Sequence, residues 1–349
     1  MCATVVLRYR LRVAGWALRV CCALLLGTAL PPAAGAALDS TADHQAPSTT
    51  PVVEDEALLA SPTTHDHIGR VVVPVMINGQ GPFRFIVDTG ASHSTISPGL
   101  AHTLGLKTTE TPSILLDGIT GSARVSGVTI DRLQAGALTV QGAPMPVVWA
   151  PVMAGADGIL GAAGLDGQSL EVDFEHNRVV IAPAVDSVMR AGSMRVHGLR
   201  LTDGLLTLDT YVGRVHVPAV VDTGSPRTLG NLALRDAMAI RRTARVMARV
   251  TSVYGATEDV EQGEVIAAPV ISVGSLRVVD VELVCGDFHI FKVWGMQDKP
   301  VMIMGMDVLG TVASLGIDFK NQDVYLASAR VTGDPFAPGH ASTGGRVSH

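Results

Sequence analysis

Short apolar segments that alternate with glycine-containing turns dominate the middle of the chain. Residues 71–87 and 205–221 each hold two such segments, separated by Asn78-Gly79-Gln80-Gly81 in the first tract and by Gly213-Arg214 in the second. Apolar, β-branched runs on either side of a glycine turn are typical of β-hairpins. The pattern therefore predicts two similar hairpins in a mainly β protein, rather than a parallel sheet with crossover helices.

A few short helices are expected between the strands. Ser97-Pro98 is a favourable start for a helix over residues 99–104, and Gly105 is a favourable end. In the second tract Asn231 can cap a helix that begins at the next residue, and residues 307–309 predict one further helical turn. None of these helices is long enough to dominate the fold.

The two tracts also share motifs in the same order. Asp-Thr-Gly stands at residues 88–90 and again at 222–224, each time directly after an apolar strand. An apolar-apolar-Gly motif follows at residues 159–161 and at 303–305. One given tripeptide arises by chance about once in 8,000 positions, so a single copy means little. Two copies inside matched surroundings predict an internal duplication.

The two aspartates are the candidate catalytic groups. If the halves pack about a pseudo-twofold axis, Asp88 and Asp222 face each other at the ends of their strands. Two carboxylates at such close range cannot both ionise easily, so they share one proton. One can then act as a base toward a bound water while the other acts as an acid. This chemistry needs no metal and no cofactor.

These motifs resemble the aspartic peptidases of the pepsin and retropepsin clan, and most closely the bacterial retropepsin-like branch, here as two fused copies. The resemblance rests on residues 75–92, Asp157-Gly158-Ile159-Leu160-Gly161 and residues 303–309, and it extends over about residues 69–329. It implies a bilobal, double β-barrel-like fold with pseudo-twofold symmetry. It also implies a substrate cleft between the lobes, covered by a hairpin flap, and an apolar-apolar-Gly strand beside each Asp-Thr-Gly loop.

The resemblance and the repeat together assign the remaining site residues. Besides the catalytic pair, the dyad-supporting residues are Thr89, Gly90, Thr223, Gly224 and Ser225. The candidate substrate-binding flap residues are Gly118, Thr120, Gly121, Tyr254 and Gly255, because both glycine-rich tips follow their aspartate by the same spacing. An ordinary β-turn is the alternative interpretation of each tip.

The residues that follow the two motifs differ. Ala91 follows the first and Ser225 the second. In the family a hydroxyl at this position can hydrogen-bond the nearby carboxylate, so we expect Asp222 to be the more readily ionised partner. Arg227 either lies near the dyad or points outward, and the second is the expectation. His93 is expected to have a packing or surface role.

The ends of the chain differ from its middle. Four arginines, an apolar run over residues 20–30 and Ala34-Gly35-Ala36 predict a signal peptide over residues 1–36, with an uncleaved membrane anchor as the alternative. Residues 37–67 are expected to be a disordered linker and residues 331–349 a disordered tail. Between them, residues 68–185 and 194–330 are the predicted N-terminal and C-terminal retropepsin-like lobes. Cys285, the only cysteine outside the leader, is expected to be a buried, inert thiol.

Together these observations predict an exported aspartic endopeptidase, periplasmic or secreted by a bacterium, that acts on peptides or proteins as a monomer. The net charge of −6 makes nucleic acid an unsuitable partner, because phosphate binding needs a basic face. No stable membrane span is expected once the leader is cleaved. The rival hypothesis is a non-catalytic peptide-binding or scaffold protein that retains the cleft.

Overall fold

The computed structural model describes residues 6–8, 61–62, 64–65, 69–108, 113–148, 153–184, 192–201, 204–240 and 245–328. Within these ranges the protein is mainly β, with four short α-helices, and the predicted fold class is confirmed. The predicted signal peptide, linker and tail lie outside the described residues, apart from three short strands at residues 6–8, 61–62 and 64–65. Among the described residues, no helix is long and apolar enough to cross a membrane.

The elements up to residue 184 are β1 (Val6–Arg8), β2 (Ser61–Pro62), β3 (Thr64–His65), β4 (Val71–Ile77), β5 (Gln80–Asp88), β6 (Thr95–Ile96), α1 (Pro98–Thr103), β7 (Ile114–Asp117), β8 (Ser122–Val125), β9 (Gly127–Ala135), β10 (Leu138–Pro146), β11 (Gly158–Gly161), a 3-10 helix (Ala162–Leu165), β12 (Gln168–Asp173) and β13 (Arg178–Pro183). Those that follow are β14 (Met194–His197), β15 (Leu199–Arg200), β16 (Leu206–Val212), β17 (Val215–Val221), β18 (Leu229–Asn231), α2 (Leu232–Ile240), β19 (Arg245–Tyr254), β20 (Val260–Ala267), β21 (Ile271–Val273), β22 (Leu276–Val279), β23 (Glu282–Gly286), α3 (His289–Val293), β24 (Met302–Met304), α4 (Met306–Leu309), β25 (Ser314–Asp318) and β26 (Asp323–Ala327).

The first half of the chain forms a seven-stranded sheet in the order β10-β9-β4-β5-β11-β6, with β3 beside β4. Its centre is the predicted β4–β5 hairpin, whose turn holds Asn78 at φ 51° and Gly79 at φ 75°. Two consecutive positive φ values match the right-handed twist of the flanking strands. The returning strand begins at Gln80, earlier than its apolar residues suggested, because the turn itself is short.

The second half repeats this order and these directions. The path β22-β21-β16-β17-β24-β18 lies within an eleven-stranded sheet that continues through β23, β20 and β19. In each half the strand that leads to Asp-Thr-Gly pairs in parallel with the apolar-apolar-Gly strand, so that Gly161 lies opposite Asp88 and Met304 opposite Val221. The expected placement of these strands beside the Asp-Thr-Gly loops is therefore confirmed.

A third sheet of six strands, in the order β14-β26-β25-β12-β13-β2, joins the two halves. Its central pair is β12 with β25, which run antiparallel with Leu170 opposite Ile317 and Val172 opposite Leu315. These four side chains are almost fully buried and belong to one apolar core that extends through both halves. The two halves are thus tied together by backbone hydrogen bonds as well as by apolar packing.

The three predicted helices are present. The Ser97 hydroxyl caps α1 by accepting a hydrogen bond from the amide of Leu100 at 3.1 Å, and the Asn231 side chain caps α2 through the amide of Leu234 at 2.9 Å. The third, α4, follows Gly305. Cys285 is fully buried, and burial raises the pKa of its thiol to about 12, as expected for an inert cysteine.

Gly161 and Gly305 allow the apolar-apolar-Gly strands to lie against the Asp-Thr-Gly loops. A Cβ on Gly161 would lie 2.6 Å from the His93 carbonyl oxygen, and one on Gly305 would lie 2.5 Å from that of Arg227. We expect Gly161→Ala and Gly305→Ala each to lower the free energy of unfolding by about 1–3 kcal/mol, because backbone must move to admit the methyl group. Denaturant titration measures the change.

Gly164→Ala is the matched control. A Cβ at this position would meet atoms no closer than 3.6 Å, which is ordinary contact. We expect its stability to be unchanged or slightly raised, since alanine reduces the entropy of the unfolded chain. Equal losses in the three variants would show that close backbone approach is not the reason for these glycines.

Candidate active site

The two Asp-Thr-Gly loops meet at the boundary between the two halves of the chain. Asp88 is the last residue of β5, and Asp222 directly follows β17. Each loop is fixed to its neighbouring strand by a hydroxyl: Ser94 accepts from the Gly161 amide, and Thr228 from the Gly305 amide, both at 3.1 Å. Both aspartates are therefore aimed from rigid strand ends.

The two threonines form a reciprocal hydrogen-bond network across the boundary. The Thr89 hydroxyl donates to the Val221 carbonyl at 2.7 Å, and the Thr223 hydroxyl donates to the Val87 carbonyl at 2.7 Å. Each hydroxyl oxygen also accepts the backbone amide of the opposite threonine, at 3.1 and 3.2 Å. Both side chains are buried, so each half supplies hydrogen-bond partners for buried polar groups of the other.

Below this network the two carboxyl groups contact each other. A side-chain hydrogen bond joins Asp88 and Asp222. Gly90 packs against the Asp222 carboxyl and Gly224 against that of Asp88, so closely that a Cβ at either glycine would overlap the opposite carboxyl. Gly90 and Gly224 are needed here for close approach, since any side chain would separate the dyad.

Burial is the main influence on the dyad. It raises the pKa of both carboxyls, and the negative charge of Asp88 raises that of Asp222 further. Backbone amides at Gly90, Ala91, Gly224 and Ser225 oppose these shifts by stabilising the charged forms. Two buried carboxyls in contact, both with raised pKa values, favour a state in which the pair shares one proton.

The reason for expecting Asp222 to be the more readily ionised partner does not hold in the structure. The Ser225 hydroxyl donates to the Arg227 carbonyl at 2.7 Å rather than to a carboxylate. It is the Ser225 backbone amide that donates to Asp222, at 2.9 Å, and an alanine would supply the same donor. The serine therefore stabilises its loop and gives Asp222 no special acidity.

Arg227 points outward, as expected. Its guanidinium pairs with Glu282 at 3.2 Å and is about half exposed, at 52%. His93 is also exposed. Neither residue has a hydrogen bond to the dyad among the described contacts of these loops.

A cleft of about 730 Å³ lies over the dyad, and both predicted flap regions line it. The first is the β7–β8 hairpin, whose tip is closed by a 2.8 Å bond from the Gly118 amide to the Gly121 carbonyl. The second is the turn between β19 and β20, where Tyr254 is exposed and Gly255 follows it. The cleft lining is mostly apolar.

The two hairpin tips touch each other above the cleft. The hydroxyls of Thr120 and Thr257 are 3.1 Å apart and both are buried. A Cβ on Gly255 would lie 2.7 Å from the Thr120 hydroxyl, so this glycine permits the contact. Both halves of the chain thus supply a hairpin to the roof of the cleft.

Sequence reasoning missed α3, which supports the first hairpin from the second half. The His289 ring lies 2.8 Å from the Ser122 hydroxyl, which also donates to Asp117. The Ile290 amide donates to the Ile119 carbonyl at 3.4 Å. The residue before α3 is Phe288, which offers no capping side chain, so the sequence carried no start signal for this short helix.

Asp307 was missed as well. Its carboxylate accepts the Thr228 hydroxyl at 2.6 Å and the Thr228 amide at 3.0 Å, while that hydroxyl oxygen accepts the Gly305 amide. Asp307 therefore holds the second Asp-Thr-Gly loop to α4. Its place shortly after an apolar-apolar-Gly motif was the only signal in the sequence.

One group among the described residues has metal-ligand chemistry: Asp173, Glu175 and His176, at the turn after β12. Asp173 already accepts the backbone amides of Glu175 and His176, at 3.2 and 3.1 Å. This arrangement is that of an ordinary Asx-type turn. Nothing in it points to a cofactor of the dyad.

Removing either network hydroxyl leaves a buried carbonyl and a buried amide without their partner. We therefore expect Thr89→Val and Thr223→Val each to lower the free energy of unfolding by about 1–3 kcal/mol. The double variant should lose less than the sum, since the two residues share one network. Denaturant titration checks both values.

Thr103→Val is the control for that prediction. Its hydroxyl donates to the Gly99 carbonyl at 2.9 Å on an exposed face of α1. Its loss is expected to stay within about 0.5 kcal/mol, as for surface substitutions generally. Losses at residues 89 and 223 no larger than this would refute a stabilising role for the network.

Comparison with known proteins agrees with this geometry. Residues 73–163 match the family model described as aspartyl protease. The match includes the first Asp-Thr-Gly loop, the β7–β8 hairpin and the β11 strand. No curated protein sequence matches the chain significantly. The family match covers the first of the two Asp-Thr-Gly loops, and the paired carboxyls are consistent with this similarity to aspartyl proteases.

Proposed function

We propose that the protein is an aspartic endopeptidase whose catalytic groups are Asp88 and Asp222. The observation that carries the proposal is the direct hydrogen bond between two buried carboxyls at the floor of a cleft. Burying two acids side by side is unfavourable, so a protein that only bound peptides would gain nothing from the pair. Because both acids belong to one chain, the proposed active form is a monomer.

The proposed reaction uses water as the nucleophile. The charged carboxylate removes a proton from a water held between the two acids, and the water oxygen attacks the peptide carbonyl carbon. The protonated partner gives its proton to the carbonyl oxygen, which forms a neutral tetrahedral diol. The first acid then protonates the leaving nitrogen while the second recovers its proton from a hydroxyl, so the dyad ends as it began.

The proposed substrate is an extended segment of peptide or protein. The cleft is lined by apolar side chains from both halves, including Ile119, Leu229 and Trp294. Apolar residues beside the scissile bond would bury their surface there. The hairpin tips must separate to admit a chain, and the Thr120–Thr257 bond, worth about 1 kcal/mol, is weak enough to permit this.

Export is part of the proposal and rests on the leader sequence alone. The basic start, the apolar run and Ala34-Gly35-Ala36 support cleavage after residue 36 and release to the periplasm or medium of a bacterium. We expect the protein recovered from those fractions to begin at Ala37, as N-terminal sequencing would determine. Recovery of the full-length chain from the cytoplasm would contradict export.

The catalytic proposal predicts the behaviour of Asp88→Asn and Asp222→Asn. Each should lower kcat/KM on a peptide library by about 10²–10⁴-fold, because each removes one acid–base group. Asp209→Asn, at an exposed carboxyl on β16 that pairs with His216, is the control and should keep its activity. Cleavage that survives both dyad substitutions would refute the mechanism. No cleavage by the unmodified protein, with peptide retained, would favour the peptide-binding alternative.

The pH dependence follows from the same pair. Activity should fall toward acidic pH as the charged carboxyl of the pair becomes protonated. Because burial raises the pKa of both carboxyls, this acidic limb should lie at higher pH than it would for the same pair without burial. Activity should fall again toward alkaline pH, where the shared proton is lost. The full kcat/KM profile measures both limbs, and a profile that rises monotonically with pH would contradict a shared proton.

A further inference from the structure

Arg70 lies beside Asp88 across the first hairpin. In the β4–β5 ladder Val72 pairs with Ile86. If this register continues by two residues on each strand, Arg70 lies opposite Asp88. Because side chains alternate along a strand, both residues lie on the face that also carries Val72 and Ile86. Arg70 is only 3% exposed, and it lines the same cleft as Asp88. A buried positive charge therefore stands next to one member of the dyad.

The matching position in the second half holds leucine. In the β16–β17 ladder Thr207 pairs with Val220, and the same two-residue continuation sets Leu205 opposite Asp222. Leu205 is 1% exposed and also lines the cleft. The two acids thus occupy equivalent strand ends, but one faces a cation and the other an aliphatic side chain.

The remaining surroundings of the two acids are closely matched. The amides of Gly90 and Ala91 stabilise the charged form of Asp88, as those of Gly224 and Ser225 do for Asp222. Burial raises the pKa of both, whereas the charge of Arg70 lowers that of Asp88. The difference between arginine and leucine is an asymmetry that these backbone donors do not share.

Other charged or titratable groups are less well placed to act on the dyad. The remaining titratable groups of the described cleft lining are His93, Asp117, Arg227 and Tyr254. All of them are exposed, and Asp117 and Arg227 have partners of their own. Solvent screens such groups strongly. The partly buried Asp307 lies behind the second loop, where its carboxylate accepts a hydrogen bond from the Thr228 hydroxyl.

We propose that Arg70 makes the dyad unequal, so that Asp88 carries the negative charge in the resting site and Asp222 carries the proton. This assignment deepens the proposed function and rests on it. Asp88 is then the base that takes the proton from water, and Asp222 is the acid that protonates the substrate carbonyl oxygen. Arg70 is a positioning residue for charge, and it contacts neither the water nor the substrate in this scheme.

The decisive experiment titrates each acid alone and needs no turnover. In Asp222→Asn, labelling with ¹³C-aspartate allows NMR to follow Asp88; in Asp88→Asn it follows Asp222. We expect Asp88 to titrate at lower pH than Asp222. Adding Arg70→Gln should raise the Asp88 midpoint by about one pH unit, as expected for loss of a nearby opposite charge, and leave that of Asp222 nearly unchanged.

The proposal is overturned if the titration midpoint of Asp222 is equal to or lower than that of Asp88. It is also overturned if Arg70→Gln shifts the midpoints of both acids equally. The comparison of the two single-acid variants stands even if Arg70→Gln does not fold. Failure of the peptidase proposal is separate, because it would appear as absence of cleavage while these titrations could still be measured.

Kinetics supply the second test in an active enzyme. Arg70→Gln should move the acidic limb of kcat/KM upward by about one pH unit, and Arg70→Lys should restore its position. Arg84→Gln is the matched control. Arg84 is exposed and lies on β5, the strand that ends at Asp88, about 13 Å from Asp88, which is beyond the Debye screening length. A loss of rate at every pH with an unmoved limb would indicate a merely structural arginine and overturn the proposal.

Discussion

The reciprocal bonds of Thr89 and Thr223 are the interaction on which the rest of the site depends. Each hydroxyl donates to a carbonyl of the opposite half and accepts an amide from it, so neither half can satisfy these buried groups alone. An unpaired buried polar group costs about 1–3 kcal/mol. The network therefore fixes the distance and orientation of the two loops, and the carboxyls are brought together as a consequence.

Burying two carboxyls side by side is unfavourable, and the pair is maintained because the surrounding backbone leaves neither carboxyl room to move away. Two acids in a buried pocket would separate or turn toward water if the backbone allowed it. Gly90 and Gly224 instead bring each loop against the opposite carboxyl, and Gly161 and Gly305 bring a parallel strand behind each loop. The energy needed to hold the acids comes from the common core and from the sheet that joins the halves.

On this nearly symmetric frame the two halves contribute unlike parts. The first hairpin is supported by α3 of the second half, through His289 and Ile290, and meets the second hairpin at Thr120 and Thr257. Arg70 and Leu205 stand at equivalent positions opposite the two acids. Such differences give the two carboxyls unlike surroundings, as the two distinct roles that we propose for them require.

The sequence by itself determined the two β-hairpins that lead to the Asp-Thr-Gly loops, three of the four short α-helices and the two aspartates, because turn glycines, capping residues and the repeated Asp-Thr-Gly are local signals. The sequence also led to a wrong reason for expecting Asp222 to be more acidic than Asp88, since no local signal reveals that the Ser225 hydroxyl donates to the Arg227 carbonyl. Only the tertiary structure decided the neighbours of each acid. Arg70 is 18 residues from Asp88 along the chain, and α3 is far from the hairpin that it supports. Contacts between distant segments depend on register and packing, which no short motif encodes.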